Sequence, residues 1–403
     1  MTLLDPKLDN LKYEMQDEDR PAARIKVVGV GGGGSNAVAH MMASGIEGVE
    51  FHVLNTDIQA LRASPVPNKL AIGCQVTHGR GAGADPQIGE QAALEDTERI
   101  VELLRGADMV FVTAGLGSGT GTGATPVVCS MAKELNALTV AVVTMPFAFE
   151  GTRRIRQAEQ GLAKLAGSVD TVIAIPNERL LALAPRGTSI LEAFRLGHDF
   201  LRRTVEDIVE IVTMPGFINR DFSDVRTTLF GMGYAVLGTA TARGENAALE
   251  AARQAISSPL IDQAGIKGAR NVLLNITGSS SLGLHEVNDA CQMIRQASEC
   301  DDVQLNFGLA LNEALGDSVK VTIIATGFAT PPRASEYVEE EPAAETAWLS
   351  QAQPEPPPPA ITAAPEPVAA ETKPPNGTPA LPDPQDLDDL DTPAYLRQRR
   401  LLH

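Results

Sequence analysis

The chain has 403 residues, room for two or three domains, and its 43% hydrophobic content is that of a globular protein. Only 4% is aromatic, so the cores must be built from Val, Leu, Ile and Ala. A net charge of −18 argues against nucleic acid as the main ligand, because phosphate contacts need clustered Lys and Arg. Cys74, Cys129, Cys291 and Cys300 form no Cys-x-x-Cys pair, so reduced, buried thiols and a cytoplasmic setting are expected. No apolar run is long enough to span a bilayer, and Met1-Thr-Leu-Leu-Asp-Pro6 has no signal-peptide layout.

Residues 1–23 are polar and aperiodic, a loose arm. Arg24-Ile-Lys-Val-Val-Gly-Val30 reads as a buried strand running into Gly31-Gly-Gly-Gly34 and then a helical Asn36–Met42. Further strands are predicted at Val49–Leu54, Lys69–Ile72, Met109–Val112, Leu138–Val143 and Asp170–Ile175, with one helix over Gln87–Arg105. Strands separated by helical stretches predict a doubly wound, mostly parallel sheet over 24–189. A long helix from Ile190 to Thr213 ends at Met214-Pro-Gly216, and an acidic turn carries Asn219, Asp221 and Asp224. Strand patterns at Gly233–Gly238, Asn271–Ile276, Val303–Phe307 and Val319–Ile324 predict a second, smaller α/β domain over 224–328, with 190–223 as the connecting helix and loop. Pro, Ala and Glu dominate 329–386, the composition of an extended disordered linker. Apolar residues return among arginines in 387–403, as in a segment that folds on a partner.

The segment Thr113-Ala-Gly-Leu-Gly-Ser-Gly-Thr-Gly-Thr-Gly-Ala-Thr125 follows one predicted strand and leads into the helical Pro126–Leu135. Strand, glycine loop, helix is an order that exposes backbone N–H groups at a helix N-terminus to an anion. In the common doubly wound order the first and fourth strands are neighbours at the switch point, so both glycine loops would face one crevice. The first loop also satisfies Gly-x-Gly-x-x-Gly, with Asp57 near the place of a ribose-binding acid, so an NAD or FAD oxidoreductase is the rival reading. No Walker A lysine loop occurs, and backbone amides, Thr hydroxyls and a cation must share the phosphate charge.

Neither glycine loop supplies an acid to position water. A helix of about 24 residues is about 36 Å long, which puts the acidic turn at the far end of its own domain, within reach of the nucleotide of a neighbour stacked head to tail. Helix capping is the alternative role for Asp221 and Asp224.

The motifs Gly31-Gly-Gly-Gly-Ser-Asn-Ala-Val38, Asn55-Thr-Asp57, Gly117-Ser-Gly-Thr-Gly-Thr-Gly123, Pro146-Phe-Ala-Phe-Glu-Gly151, Ile175-Pro-Asn177 and Asn219-Arg-Asp-Phe-Ser-Asp224 occur in this order. In them the chain resembles the tubulin/FtsZ family of bacterial cell-division GTPases, over residues 24–328 and the C-terminal peptide. The resemblance implies GTP rather than NAD, with GDP as product and Mg2+ as companion ion. It implies that Gly32, Gly33, Gly34, Ser35 and Asn36 sit near the phosphates, and that Gly119, Thr120, Gly121 and Thr122 wrap them with help from Gly83. Glu150 and Arg154 resemble ribose and phosphate-side contacts; Asn177 and Asp199 would address the base edge, with Phe194 on its face. Asn219, Asp221 and Asp224 match a loop that enters the next subunit and completes hydrolysis. Self-assembly into a mid-cell ring and docking of 387–403 on membrane-anchoring division proteins are likewise implied. The chain departs from the family at Ser118, where a glycine is usual, and at Asp85, Arg195 and His198. If Ser118 needs positive φ, it costs about 1 kcal/mol and weakens phosphate binding, which keeps a non-hydrolysing nucleotide-binding scaffold as a third reading.

Overall fold

The computed structural model describes residues 23–185, 187–213, 222–258, 261, 265–300 and 302–328. The expected N-terminal arm, apart from Ala23, lies outside them, as do Asn219, Asp221, the expected linker and the C-terminal peptide. Ten strands are described: β1 Ile25–Val30, β2 Val49–Asn55, β3 Asn68–Ala71, β4 Met109–Gly115, β5 Leu138–Met145, β6 Thr171–Pro176, β7 Gly233–Arg243, β8 Asn271–Gly278, β9 Gln304–Leu311 and β10 Ser318–Thr326. Around them lie helices α1 Gly31–Ala43, α2 Ile58–Ala63, α3 Cys74–Thr77, α4 Pro86–Glu95, α5 Thr97–Leu104, α6 Gly119–Glu134, α7 Thr152–Ser168, α8 Asn177–Leu183, α9 Ile190–Thr213, α10 Phe222–Leu229, α11 Ala247–Ile256 and α12 Leu284–Ala297.

The strands form one sheet in the order β3-β2-β1-β4-β5-β6-β7-β10-β8-β9. The first six are parallel, as their alternation with helices predicts. β7 continues the same sheet, pairing with β6 from Thr171↔Gly233 to Ile173↔Ala235. Beyond it β10 runs antiparallel to both β7 and β8, while β9 is parallel to β8.

Because successive strand residues point to opposite faces, neighbours in sequence enter different cores. Val27, Phe111 and Val140 pack with Val38 and Met41 of α1 and with Leu201, Val205 and Ile208 of α9. Val28, Val110 and Ala141 pack on the other face with Ile100 of α5, Val128 of α6 and Leu162 of α7. Each fully buried Val or Leu contributes roughly 1.5–3 kcal/mol, and no large aromatic core is needed. A third core joins Val272, Leu274 and Val321 to the alanine-rich face of α11 and to Ile294 of α12.

Lys320 of β10 bridges to α9, with Nζ 2.7 Å from Asp207 and 2.8 Å from Glu210. Asp207 is only 4% exposed, and burial pushes its carboxyl above the usual carboxylate range despite the lysine beside it.

Three expectations need correction. The predicted single helix 87–105 is two helices broken at Asp96, whose carboxylate accepts from the Gly73 N–H at 2.8 Å and from Arg99 at 2.8 Å. A carboxylate recruited to the neighbouring turn competes with the helix ladder there. The first glycine run is not a loop ahead of a helix, because α1 begins at Gly31, whereas the second keeps a short turn, Leu116-Gly117-Ser118, before α6 begins at Gly119. The thiols are unpaired, but of the four only Cys129 is buried; Cys74 is exposed and Cys291 and Cys300 are half-buried.

Candidate functional site

β1 and β4 lie side by side, in register from Ile25↔Met109 to Val30↔Ala114, and each hands over to a glycine-rich helix start. This is the switch point of the sheet, where a ligand has access to the carboxyl ends of the strands. The two helix starts touch: a Cβ on Gly31, which holds φ +72°, would lie 2.9 Å from the Gly121 nitrogen. Gly117 carries the other left-handed turn at φ +86°, with the Arg154 carbonyl oxygen 2.8 Å from where a Cβ would stand.

Ser118 is therefore not the strained residue that its sequence position suggested. Its backbone is extended (φ −95°, ψ 169°), and it is the N-cap of α6. The hydroxyl accepts from Gly121 N–H at 3.2 Å and donates to the Gly115 carbonyl at 3.0 Å. Serine is among the preferred caps at this position.

A cleft of about 650 Å³ opens over these turns. Gly32, Gly33, Asn36, Gly115, Leu116 and Ser118 line its glycine end. Thr144, Pro146, Glu150 and Arg154 form one wall, and Asn177, Leu191, Phe194, Arg195 and His198 close the opposite end. Glu150 is held from two sides, accepting from Phe147 N–H at 2.9 Å and pairing with Arg154 at 2.7 Å. The buried Phe147 ring meets Phe194 edge to face at 5.4 Å and stacks on Phe149 at 4.9 Å, which sets the Phe194 ring at the cleft. α9 is started by a reciprocal cap in which Ser189 and Glu192 bond each other's backbone N–H.

Asn177 is 6% exposed, and its amide oxygen has no hydrogen-bond partner although it lines the cleft. Leaving such an atom unsatisfied costs about 1–3 kcal/mol, so a polar ligand edge that donates to it fits this end. The glycine end offers helix-start N–H groups to an anion, and Arg154 and Arg195 bring positive charge to the cleft. A nucleotide matches this division: phosphates at the glycines, a ring on Phe194, a base edge at Asn177. Among the described residues no group of three His, Cys, Asp or Glu is placed to hold a metal ion, so Mg2+ would have to be carried on the phosphates.

Of the residues singled out in the sequence, Gly32, Gly33, Asn36, Glu150, Arg154, Asn177 and Phe194 line the cleft. Others stand just behind it. Gly34 and Ser35 are buried in the first turn of α1. The Thr120 hydroxyl pairs with that of Thr56 at 2.7 Å, and the Thr122 hydroxyl accepts from Gly117 N–H at 2.9 Å. Gly119 and Gly121 lie in the first turn of α6, Gly119 against the third loop at Asp85. Gly83 lies in that loop at φ +59°, and Asp85 caps α4.

Asp199 is not among the lining residues. Its carboxylate lies 3.0 Å from Arg202, 3.0 Å from Arg203 and 3.4 Å from His40. Burial opposes its ionisation, yet these partners hold its carboxyl below the ordinary range. Asp224 sits half-buried in the first turn of α10. The lining residues His198 and Arg195 carried only the signal of departing from a family pattern, and Thr144, Pro146 and Leu191 carried none as ligand contacts. Asp57, the would-be ribose acid, accepts from Gln59 and Ala60 N–H at 2.8 and 3.2 Å as the cap of α2.

Residues 24–185 match the model of the Tubulin/FtsZ family, GTPase domain, and 233–329 that of the FtsZ family, C-terminal domain. Among solved structures the chain is similar to an empty FtsZ dimer of M. jannaschii, with 38% identity, TM-score 0.69, and coverage of 80% of this chain and 93% of that one. A tryptophan-to-tyrosine mutant of FtsZ from M. jannaschii matches at 39% identity and TM-score 0.69, covering 76% and 92%. CetZ2 from Haloferax volcanii, in a GTPgS-bound protofilament, shares the fold at 23% identity and TM-score 0.68, covering 78% and 95%.

Proposed function

The chain belongs to the FtsZ family, whose GTPase domain it carries, and on that premise we propose that it hydrolyses GTP to GDP and phosphate in sites completed between head-to-tail copies, in filaments that form a division ring. The observation that carries this is the switch-point cleft, with glycine helix starts at one end and an unpartnered Asn177 amide oxygen at the other. The N–H groups at the starts of α1 and α6 hold the phosphates, Phe194 packs on the base, and Asn177 accepts from its edge. Mg2+ supplies charge neutralisation on the phosphates when bound.

The water-positioning group is the part the cleft lacks: its lining carboxylate, Glu150, is taken up by Phe147 N–H and Arg154. α9, with 24 residues, is about 36 Å long, and in the sequence the acidic stretch with Asn219, Asp221 and Asp224 follows its far end from the cleft-lining Leu191 and Phe194. Those groups serve the cleft of the adjacent copy, orienting the attacking water there. A contact of this heterologous kind repeats without closing, which yields a filament. The assembled structures bearing the FtsZ and CetZ names, a dimer and a protofilament, support self-association as the state in which the site is complete. Residues 387–403 would tether the filament through division proteins at mid-cell.

A dinucleotide oxidoreductase is disfavoured because Asp57 is spent on capping α2. A non-hydrolysing scaffold loses its ground once Ser118 proves to be an unstrained cap. The test is GTPase rate per molecule against protein concentration. The rate should rise from near zero as copies associate; a constant rate down to dilutions with no association refutes the shared site. Asp224→Ala should lower turnover by about 10²-fold or more with GTP binding retained. Loss of GTP binding instead would make Asp224 structural.

A further inference from the structure

α4, α6 and α7 meet through glycines. A Cβ on Gly123 of α6 would stand 1.9 Å from the Pro86 carbonyl oxygen, and one on Gly161 of α7 would stand 2.3 Å from the Thr122 methyl. Beside these contacts a groove of about 250 Å³ runs between α4 and α7, floored by α6, and it shares no lining residue with the switch-point cleft. It is smaller than the roughly 300–1,000 Å³ of a drug-sized pocket and suits a metabolite. Its walls are charged: Asp85 and Glu90 stand on the α4 side and Lys164 on the α7 side. Five helical residues separate the two carboxylates by about 7.5 Å. One Asp85 oxygen caps α4, accepting from Gln87 N–H at 2.9 Å. The Lys164 ammonium reaches across to Glu90 at 3.4 Å, so the α4 wall already receives an ammonium. Lys164 is 67% exposed and Glu90 43%, and a pair so open to water is weak enough for a ligand to separate.

We propose that this groove is an effector site for a free basic amino acid of the lysine or ornithine kind. The two ammonium groups of the ligand pair with Asp85 and Glu90, its carboxylate pairs with Lys164, and its methylene chain lies along Pro86 and Pro126. The charges match one for one: two carboxylates and one ammonium on the walls, two ammonium groups and one carboxylate on the ligand. The amides of Gln157 and Gln160, which both donate and accept, serve either end. The groove is tied to the phosphate turn. Thr122, on its floor, accepts from Gly117 N–H at 2.9 Å. Gly119 packs on Asp85, whose backbone nitrogen would be 2.9 Å from a Cβ there. A ligand that joins α4 to α7 holds the start of α6 between them and preorganises its N–H groups. On the GTP reading above it therefore tightens GTP binding, and GTP tightens its binding by the same factor.

The experiment is equilibrium dialysis of isotope-labelled L-lysine against the nucleotide-free full chain, with cadaverine and norleucine as competitors. Lysine should bind saturably, ahead of cadaverine, which lacks the carboxylate, and of norleucine, which lacks the side-chain ammonium. Asp85→Asn, which can still cap α4, and Glu90→Gln should each weaken lysine roughly 10-fold, the worth of one charged hydrogen bond. Lys164→Ala should abolish the preference for lysine over cadaverine. A non-hydrolysable GTP analogue at saturation should tighten lysine roughly 5-fold, the low end of ordinary coupling. No saturable lysine binding, or binding that neither carboxylate variant weakens, overturns the site. Cadaverine binding to wild type as tightly as lysine overturns the ligand class. Lysine affinity unmoved by the bound analogue overturns the coupling alone. A chain that takes up lysine but no guanine nucleotide overturns the GTP reading and leaves the groove its ligand.

Discussion

Ser118 offers the sharpest test of how the phosphate turn is built. If it is a cap, replacing its hydroxyl removes two hydrogen bonds, one accepted from Gly121 and one donated to Gly115. At about 0.5–1.5 kcal/mol each, and about 1 kcal/mol for a typical lost cap, Ser118→Ala should cost 1–2 kcal/mol in all, roughly. Ser118→Gly should cost only a few tenths, roughly, because glycine is tolerated at a cap. The strained position is its neighbour. Gly117→Ser must adopt φ +86°, at about 1–2 kcal/mol, and bring a Cβ to 2.8 Å from the Arg154 carbonyl oxygen. Urea unfolding of nucleotide-free protein should therefore rank wild type, Ser118→Gly, Ser118→Ala and Gly117→Ser in falling stability, with GTP affinity following the same order. A Ser118→Gly protein more stable than wild type, or a Gly117→Ser protein equal to it, would refute the cap.

Lys320→Ala leaves Asp207, 4% exposed, without the ammonium 2.7 Å away, and should destabilise by about 3 kcal/mol in thermal or urea unfolding. The pH dependence of the same site has a definite sign. A carboxyl whose folded pKa is raised stabilises the fold below its ordinary value and loses that contribution as pH rises through the raised one. The stability of wild type relative to Asp207→Asn should therefore fall as pH climbs above about 4, measured by urea midpoints across that range. Gly123→Ala would set a Cβ 1.9 Å from the Pro86 carbonyl oxygen and force α4 from α6; a loss of at least 2–3 kcal/mol, roughly, is expected, and a thermal midpoint equal to wild type would refute that packing.

The parallel strands were readable because all but β3, which is Asn-Lys-Leu-Ala, are short apolar runs containing Val or Ile and flanked by helical periodicity, and the long α9 was readable from its apolar spacing and the Pro-Gly that follows it in the sequence. The break at Asp96 was not, because the surrounding residues suit a continuous helix and only a distant partner, Gly73 N–H, draws the carboxylate away. The two halves of the sheet looked separate because the link is three residue pairs between β6 and β7, parallel strands far apart in sequence.

Local composition determined that two glycine turns follow neighbouring strands and that phosphate is their natural ligand, because backbone freedom and helix ends are properties of nearby residues alone. Which positions within those turns carry the left-handed angles was decided only by packing. One residue step along a helix rotates a side chain by about 100°, so the seating of α9 against α1 and α8 set His198 in the cleft lining, whereas the arginine partners of Asp199 lie three and four residues on along the same helix and were legible in the sequence.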